Sequence, residues 1–199
     1  MSSLLESLMN SMLSNDATNT ISEKSGVENK QVSNLVSSAL PLLLKSMLNN
    51  SSNENGANSL AEALSTHAEK ATSSEDVLKN PDMNDGNKIL NHLLGQNKEQ
   101  VEQSLANSHG LSLSQVQNVL SVMVPALMNK LGRETKNVST QSGVSIASLL
   151  TQLASGFTNQ NGQDSGFNLG SLLNFAMKDG DGDGKSDLLE TLSGLFGKK

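Results

Sequence analysis

The chain contains no cysteine, no tryptophan and no tyrosine, and only four phenylalanines among its 199 residues. Without cysteine there is no disulfide frame, no thiolate metal site and no cysteine nucleophile. The shortage of aromatics bears on the fold. Hydrophobic residues make up 35% of the chain, nearly all of them Leu, Val, Ala, Met and Ile. Sheets favour aromatic and β-branched side chains, whereas aliphatic ridges of this kind pack between helices. The expected class is all-α, in one large or two small domains.

Basic runs are missing too. The longest is the pair Lys198-Lys199, and 14 basic against 20 acidic residues leave a net charge of −6 and a pI near 5.0. Nucleic-acid binders carry a basic patch that displaces counterions, so this balance argues against such a partner and against anionic membrane surfaces. The longest apolar stretches, Leu40–Leu44 and Val122–Met128, each contain a proline. Both fall far short of the roughly 20 residues that span a bilayer. The first residues, Met-Ser-Ser-Leu-Leu-Glu, lack the positive segment of a signal peptide, and Glu6 interrupts the apolar one. A soluble, cytoplasmic protein without a membrane span is expected.

Catalytic constellations are equally absent. His67, His92 and His109 stand far apart without metal-ligand spacing and are expected on helix surfaces or in turns. No nucleophile elbow surrounds a serine, and no glycine cluster has the setting of a phosphate loop. The expectation is a protein that is not an enzyme.

What is present is an internal repeat. Offset by 84 positions, Gly26, Gln31, Val32, Asn34, Ser37, Pro41 and Leu43 fall on Gly110, Gln115, Val116, Asn118, Ser121, Pro125 and Leu127. Each copy reads as a short helix, a glycine turn and a long apolar helix. The first runs Thr20–Ser25, Gly26, Asn29–Leu48; the second Val101–Ser108, Gly110, Ser112–Leu131. Glycine suits the left-handed residue that ends a helix. Proline removes a backbone donor and crowds the carbonyl four residues back, so both long helices are expected to kink, near Pro41 and Pro125. Their apolar residues lie on nearly all sides, which predicts burial.

The remaining helices read more simply. Leu4, Leu5, Leu8, Met9, Met12 and Leu13 form one stripe, with Ser3 and Glu6 as a capping box. Leu60–Lys70, Asn87–Leu94 after a turn at Asn84-Asp85-Gly86, and Ile146–Leu153 follow. Turn formers from Gly156 to Asn168 suggest a linker. The chain thus divides into a first helical repeat unit at 1–83, a second at 84–157, a linker at 158–168 and a tail at 169–199.

The tail carries the clearest chemistry. Between two segments of helical spacing stands Asp-Gly-Asp-Gly-Asp-Gly-Lys-Ser-Asp-Leu-Leu-Glu, Asp179 to Glu190. Calcium takes roughly six to eight hard oxygen ligands at about 2.3–2.6 Å, so a chain that wraps it presents an oxygen at nearly every second residue. Asp179, Asp181 and Asp183 hold the first three liganding positions, and Gly184 stands where the sharp turn requires glycine. Lys185 offers its carbonyl, Asp187 a carboxylate directly or through water, and Glu190 two oxygens. This is an EF-hand-type loop.

Ser186 replaces the aliphatic residue that bridges paired loops. Ser51, Asn53, Asn55, Gly56, Ser59 and Glu62 imitate the spacing without the leading Asp and read as a capped turn. The loop is therefore solitary and expected to bind weakly, at roughly 10⁻⁵ to 10⁻³ M.

The duplicated units also match helix-turn-helix spacing: Ser22, Gly26 and Val32; Ala106, Gly110 and Val116; more loosely Ser139, Gly143 and Leu149. This spacing specifies how two helices cross. In the alternative reading, a helix-turn-helix DNA-binding regulator, Asn34, Gln115 and Asn118 contact bases. The opening stretches of the two second helices, Glu28–Leu35 and Ser112–Val119, hold one basic residue between them, Lys30.

The run Asp85-Gly86-Asn87-Lys88-Ile89-Leu90-Asn91-His92-Leu93-Leu94-Gly95, with Val101, Leu105, Gly110-Leu111-Ser112, Pro125-Ala126-Leu127-Met128 and Leu131-Gly132-Arg133, resembles the bacterial family called domain of unknown function 937, related to YidB-like proteins. The closing Gly-Leu-Phe-Gly-Lys-Lys is similar to that family's C-terminal end. The resemblance implies an all-helical fold with a helix-turn-helix-like arrangement, and no activity. The combined expectation is a duplicated helical bundle with a C-terminal calcium motif, an unidentified protein partner and no catalysis.

Overall fold

The computed structural model describes residues 4–52, 54–142 and 150. All belong to one compact unit, Met1–Gln163; a second, Asp164–Lys199, lies outside the described residues, as does the expected helix Ile146–Leu153 apart from the helical, buried Leu150.

Eight α-helices follow in order among the described residues: α1 Leu4–Leu13, α2 Asn15–Ser25, α3 Asn29–Asn50, α4 Glu54–Lys70, α5 Ser74–Lys79, α6 Met83–Leu94, α7 Lys98–His109 and α8 Leu113–Ser142. A single 3₁₀ turn, Gly95–Asn97, joins α6 to α7. There is no strand among these residues, and the all-α class holds.

The helix ends follow local chemistry. Ser14 caps α2 by accepting from the Ala17 amide at 3.1 Å. The helix stops at Gly26, whose φ of 72° is left-handed and whose amide donates to the Ser22 carbonyl. Gly110 ends α7 in the same way, at φ 63°, and the Leu111 amide reaches back to the Ala106 carbonyl at 3.0 Å. A side chain at either φ would be strained, which is why glycine stands there. Ser112 and Gln115 then open α8 reciprocally: Gln115 Oε1 accepts from the Ser112 amide at 2.9 Å, and Ser112 Oγ from the Gln115 amide at 3.2 Å.

After the Gly110 turn the chain departs steeply, with Leu113–Lys136 at 110° to Met83–His109. Helix α8 becomes the centre of the fold. It touches every other α-helix, and every residue from Val119 to Asn129 is buried. Both α3 and α8 continue as helices through Pro41 and Pro125.

Several boundaries differ from expectation. Helix α2 starts at Asn15 rather than Thr20, α8 runs to Ser142 rather than Leu131, and α5 is an additional helix. Two further helix starts replace expected turns. Helix α4 begins at Glu54 rather than Leu60, so Asn55, Gly56 and Ser59 lie within a helix instead of a capped turn. Asn84, Asp85 and Gly86 also form no turn; they are the opening of α6, capped by Asp82, whose Oδ1 accepts from the Asn84 and Asp85 amides at 3.0 Å each. Turn propensity is a local quantity, and here an N-cap and tertiary packing outweigh it.

Gly86 serves packing. A Cβ on it would stand 2.0 Å from the Ser121 carbonyl oxygen of α8. Gly132 does the same for α4, where a Cβ would stand 2.0 Å from the Leu64 carbonyl oxygen. Both helices approach α8 backbone to backbone at these points.

Candidate functional site

The first calcium-site residue, Asp179, and with it Asp181, Asp183, Lys185, Asp187 and Glu190 lie outside the described residues. Among the described residues no group of three or more His, Asp or Glu side chains is arranged to hold a metal ion.

The described residues do bring together a polar clamp between α4 and α6 that sequence reasoning missed. Asp82 caps α6 and so sets Asp85 in its first turn. His67, near the C-terminal end of α4, is 8% exposed rather than on the surface. Its Nδ1 lies 2.8 Å from the Ala63 carbonyl and its Nε2 3.0 Å from Asp85 Oδ2. Lys70 Nζ donates to the same oxygen at 2.8 Å. Both ring nitrogens of His67 thus stand at hydrogen-bond distance from an oxygen. Burial alone would raise the Asp85 carboxyl, but the hydrogen bonds and positive charge of Lys70 and His67 outweigh it and hold the group below its ordinary value.

Beneath the clamp, Asn129 of α8 donates from Nδ2 to the His67 carbonyl at 2.7 Å and the Ala71 carbonyl at 3.1 Å. It thereby caps the C-terminal end of α4, where helical carbonyls lack partners in the helix itself. The ends of α4 and α6 are tied to each other and to the central helix.

Each side of the clamp carries a cavity. One, of about 420 Å³, is lined by His67, Lys70, Asn80 and the carboxylates Asp76, Asp82 and Asp85. It contains a histidine–carboxylate pair, yet no serine, threonine or cysteine lines it. A nucleophile activated by an adjacent base is thus missing from the wall. The other cavity, of about 510 Å³, opens where α4 and α6 part, over Leu60, Leu93 and Met128.

Two of the three residues proposed for base contact are engaged in internal hydrogen bonds. Gln115 is spent in the α8 capping box, and Asn118 Nδ2 donates to the Ser25 carbonyl at 3.4 Å. Asn34 and Lys30 are exposed on α3.

A second buried polar contact also escaped sequence reading. Glu102 of α7, 1% exposed, accepts from Gln117 Nε2 at 2.8 Å, and its other oxygen lies 3.7 Å from Lys98 Nζ. It fastens α7 to α8.

Of the other histidines, His92 is exposed on α6. His109 sits at the end of α7 with Nε2 3.1 Å from Ser38 Oγ, and burial lowers it from its ordinary value of 6.5. The unfolded chain therefore takes up this proton more readily than the folded one. Stability should fall as pH drops below about 6.5, until the folded ring also protonates. His109→Gln should shrink that loss, which thermal melts of both proteins between neutral and mildly acid pH would show.

Fold and contacts define an all-helical protein organised by helix–glycine–helix connections around one buried helix. The family model for bacterial proteins of unknown function (DUF937) matches residues 7–134, and the chain belongs to this family. The match runs from α1 to Glu134 in α8 and so stops before the tail loop at Asp179–Glu190. No curated protein and no solved structure matches the chain.

Proposed function

We propose that this is a non-enzymatic, cytoplasmic calcium-binding protein whose helical body is a scaffold for a protein partner and whose C-terminal tail carries a solitary EF-hand-type loop. The observation that carries this reading is the ligand set itself. Asp179, Asp181, Asp183, Lys185, Asp187 and Glu190 supply an oxygen at each liganding position, and Gly184 stands at the turn. Five carboxylates within twelve residues repel one another until a cation neutralises them. Ser186 in place of a bridging aliphatic residue supports a weak, structural clamp rather than a switch.

Calorimetric titration of the full chain should show one calcium site, with a dissociation constant of roughly 10⁻⁵ to 10⁻³ M. Asp179→Ala combined with Glu190→Gln should abolish it. Absence of binding heat for the wild type at millimolar calcium would refute the reading.

The two helix–glycine–helix segments support a duplicated origin, and the YidB-like relation rests on the run Asp85–Gly95. The 110° divergence after Gly110 suits a helix-turn-helix, the basis of the alternative as a DNA-binding regulator. A reader helix must nonetheless lie open to the groove. Burial of Val119–Asn129 and the internal bonding of Gln115 favour packing as the use of these units.

A further inference from the structure

Beyond the clamp, α4 and α6 border the cavity over Met128. The His67–Asp85 contact holds the two helices together at the clamp. Towards the other end, α4 turns Gly56, Ser59 and Ala63 to the space, and side chains this small leave it unfilled. Leu60, Leu93 and Met128 give it an apolar floor, with exposures of 6%, 7% and 1%. Its volume of about 510 Å³ falls in the roughly 300–1,000 Å³ range of small-molecule sites, which pair an apolar lining with a few placed polar groups.

Charge decides what such a site would take. The chain has 20 acidic and 14 basic residues, yet the wall of this cavity includes Lys88 and His92 and no Asp or Glu. The two stand four positions apart on α6, hence on one face of the helix. The neighbouring cavity beyond the clamp is the reverse, with three aspartates in its wall. A cationic or zwitterionic ligand would find its complement there, whereas the apolar cleft has one charged side chain in its wall, the cation Lys88, with the hydrogen-bonding ring of His92 on the same helix face.

We propose that the cleft between α4 and α6 binds a single-chain amphiphile with an anionic head, the alkyl tail lying over Leu60, Leu93 and Met128 and the head meeting Lys88 and His92. Carboxylate and phosphate heads share this chemistry. The site is independent of the calcium loop and stands or falls separately from it.

The test is calorimetric titration of the full chain with dodecanoate, dodecyl phosphate and dodecyltrimethylammonium, each below its micelle threshold and in the presence of a calcium chelator. Saturable binding of one equivalent of either anionic probe is expected, and the tighter of the two identifies the natural head as carboxylate or phosphate. Lys88→Glu should weaken it about fivefold, since the pair is partly exposed. Ser59→Trp fills the cleft from an exposed position and should weaken binding beyond detection. Asn55→Trp, also exposed, is the second blocking variant, and circular dichroism verifies that each variant keeps its helical content. Equal affinity for the cationic probe, absence of binding by both anionic probes, or anionic binding unchanged in both tryptophan variants would overturn the proposal.

Discussion

Replacing Gly86 by alanine should destabilise the folded chain by about 3 kcal/mol or more, a loss of the size that overpacking a close contact produces. Helix propensity alone gives the opposite sign, because alanine in a helix interior is favoured over glycine by about 1 kcal/mol. The contact reverses it. The added Cβ would meet Ser121 O at 2.0 Å, Ser121 C at 2.8 Å and Ser121 Cα at 2.9 Å. All three are backbone atoms of a buried helix and have no rotamer with which to move aside.

The identity of that carbonyl explains why the approach is so close. Ser121 lies four residues before Pro125, whose ring nitrogen carries no hydrogen, so the bond that would normally engage the Ser121 carbonyl is missing. The Gly86 backbone packs against this oxygen, where an added Cβ would stand only 2.0 Å away. The proline in α8 and the glycine in α6 are thus two halves of one crossing. Thermal unfolding followed by circular dichroism should show Gly86→Ala lowering Tm by roughly 6 °C or more. Gly132→Ala should act likewise through the Leu64 carbonyl and the Ala68 Cβ, at 2.0 and 3.1 Å. A Tm that rises in both variants would mean propensity outweighs these contacts.

The same crossing shows where sequence reading runs out. The glycine turns after α2 and α7 are legible because each is a local event: a helix ends, and the left-handed residue must be glycine. The burial of the long helices is legible from apolar residues on all sides, and α8 from Val119 to Asn129 bears that out. Asn84-Asp85-Gly86 misleads because three turn-prone residues look alike whether they turn the chain, cap a helix or let another backbone near. Only the partner decides, and it is Ser121, on another helix. The start of α4 misleads for a related reason, since Glu54–Ser59 is polar and exposes most of its length. His67 escaped notice because its carboxylate partner is 18 residues away and its backbone partner, Asn129, is 62. The tail loop is the contrasting case: its ligands are contiguous, so residue type and spacing carry the whole argument.

Asn129→Leu should cost roughly 2–5 kcal/mol, although leucine has asparagine's branching and enters an apolar surrounding. Asn129 is fully buried, and its Nδ2 serves the His67 and Ala71 carbonyls at 2.7 and 3.1 Å. Both partners are carbonyls, so the amide nitrogen must face them, and its own Oδ1 is left buried without a hydrogen-bond partner. Retaining that orphan oxygen is unfavourable. Losing the amide is worse, because leucine would leave two backbone carbonyls at the end of α4 without a donor and away from water, at about 1–3 kcal/mol each.

The effect should extend beyond stability. The end of α4 that Asn129 holds is the end that carries His67 and Lys70, so freeing it loosens their grip on Asp85. The Asp85 carboxyl, held low by those two groups, should then titrate closer to its ordinary value. A group whose folded value is depressed contributes stability above its unfolded value and loses it as pH falls through the folded one. Wild type should therefore lose stability in acid through Asp85, and Asn129→Leu should lose less of it there while being weaker at neutral pH. Carboxyl titration by NMR alongside denaturation at neutral and acid pH measures both. An unchanged Asp85 titration in a destabilised variant would show that Asn129 caps α4 without positioning the clamp.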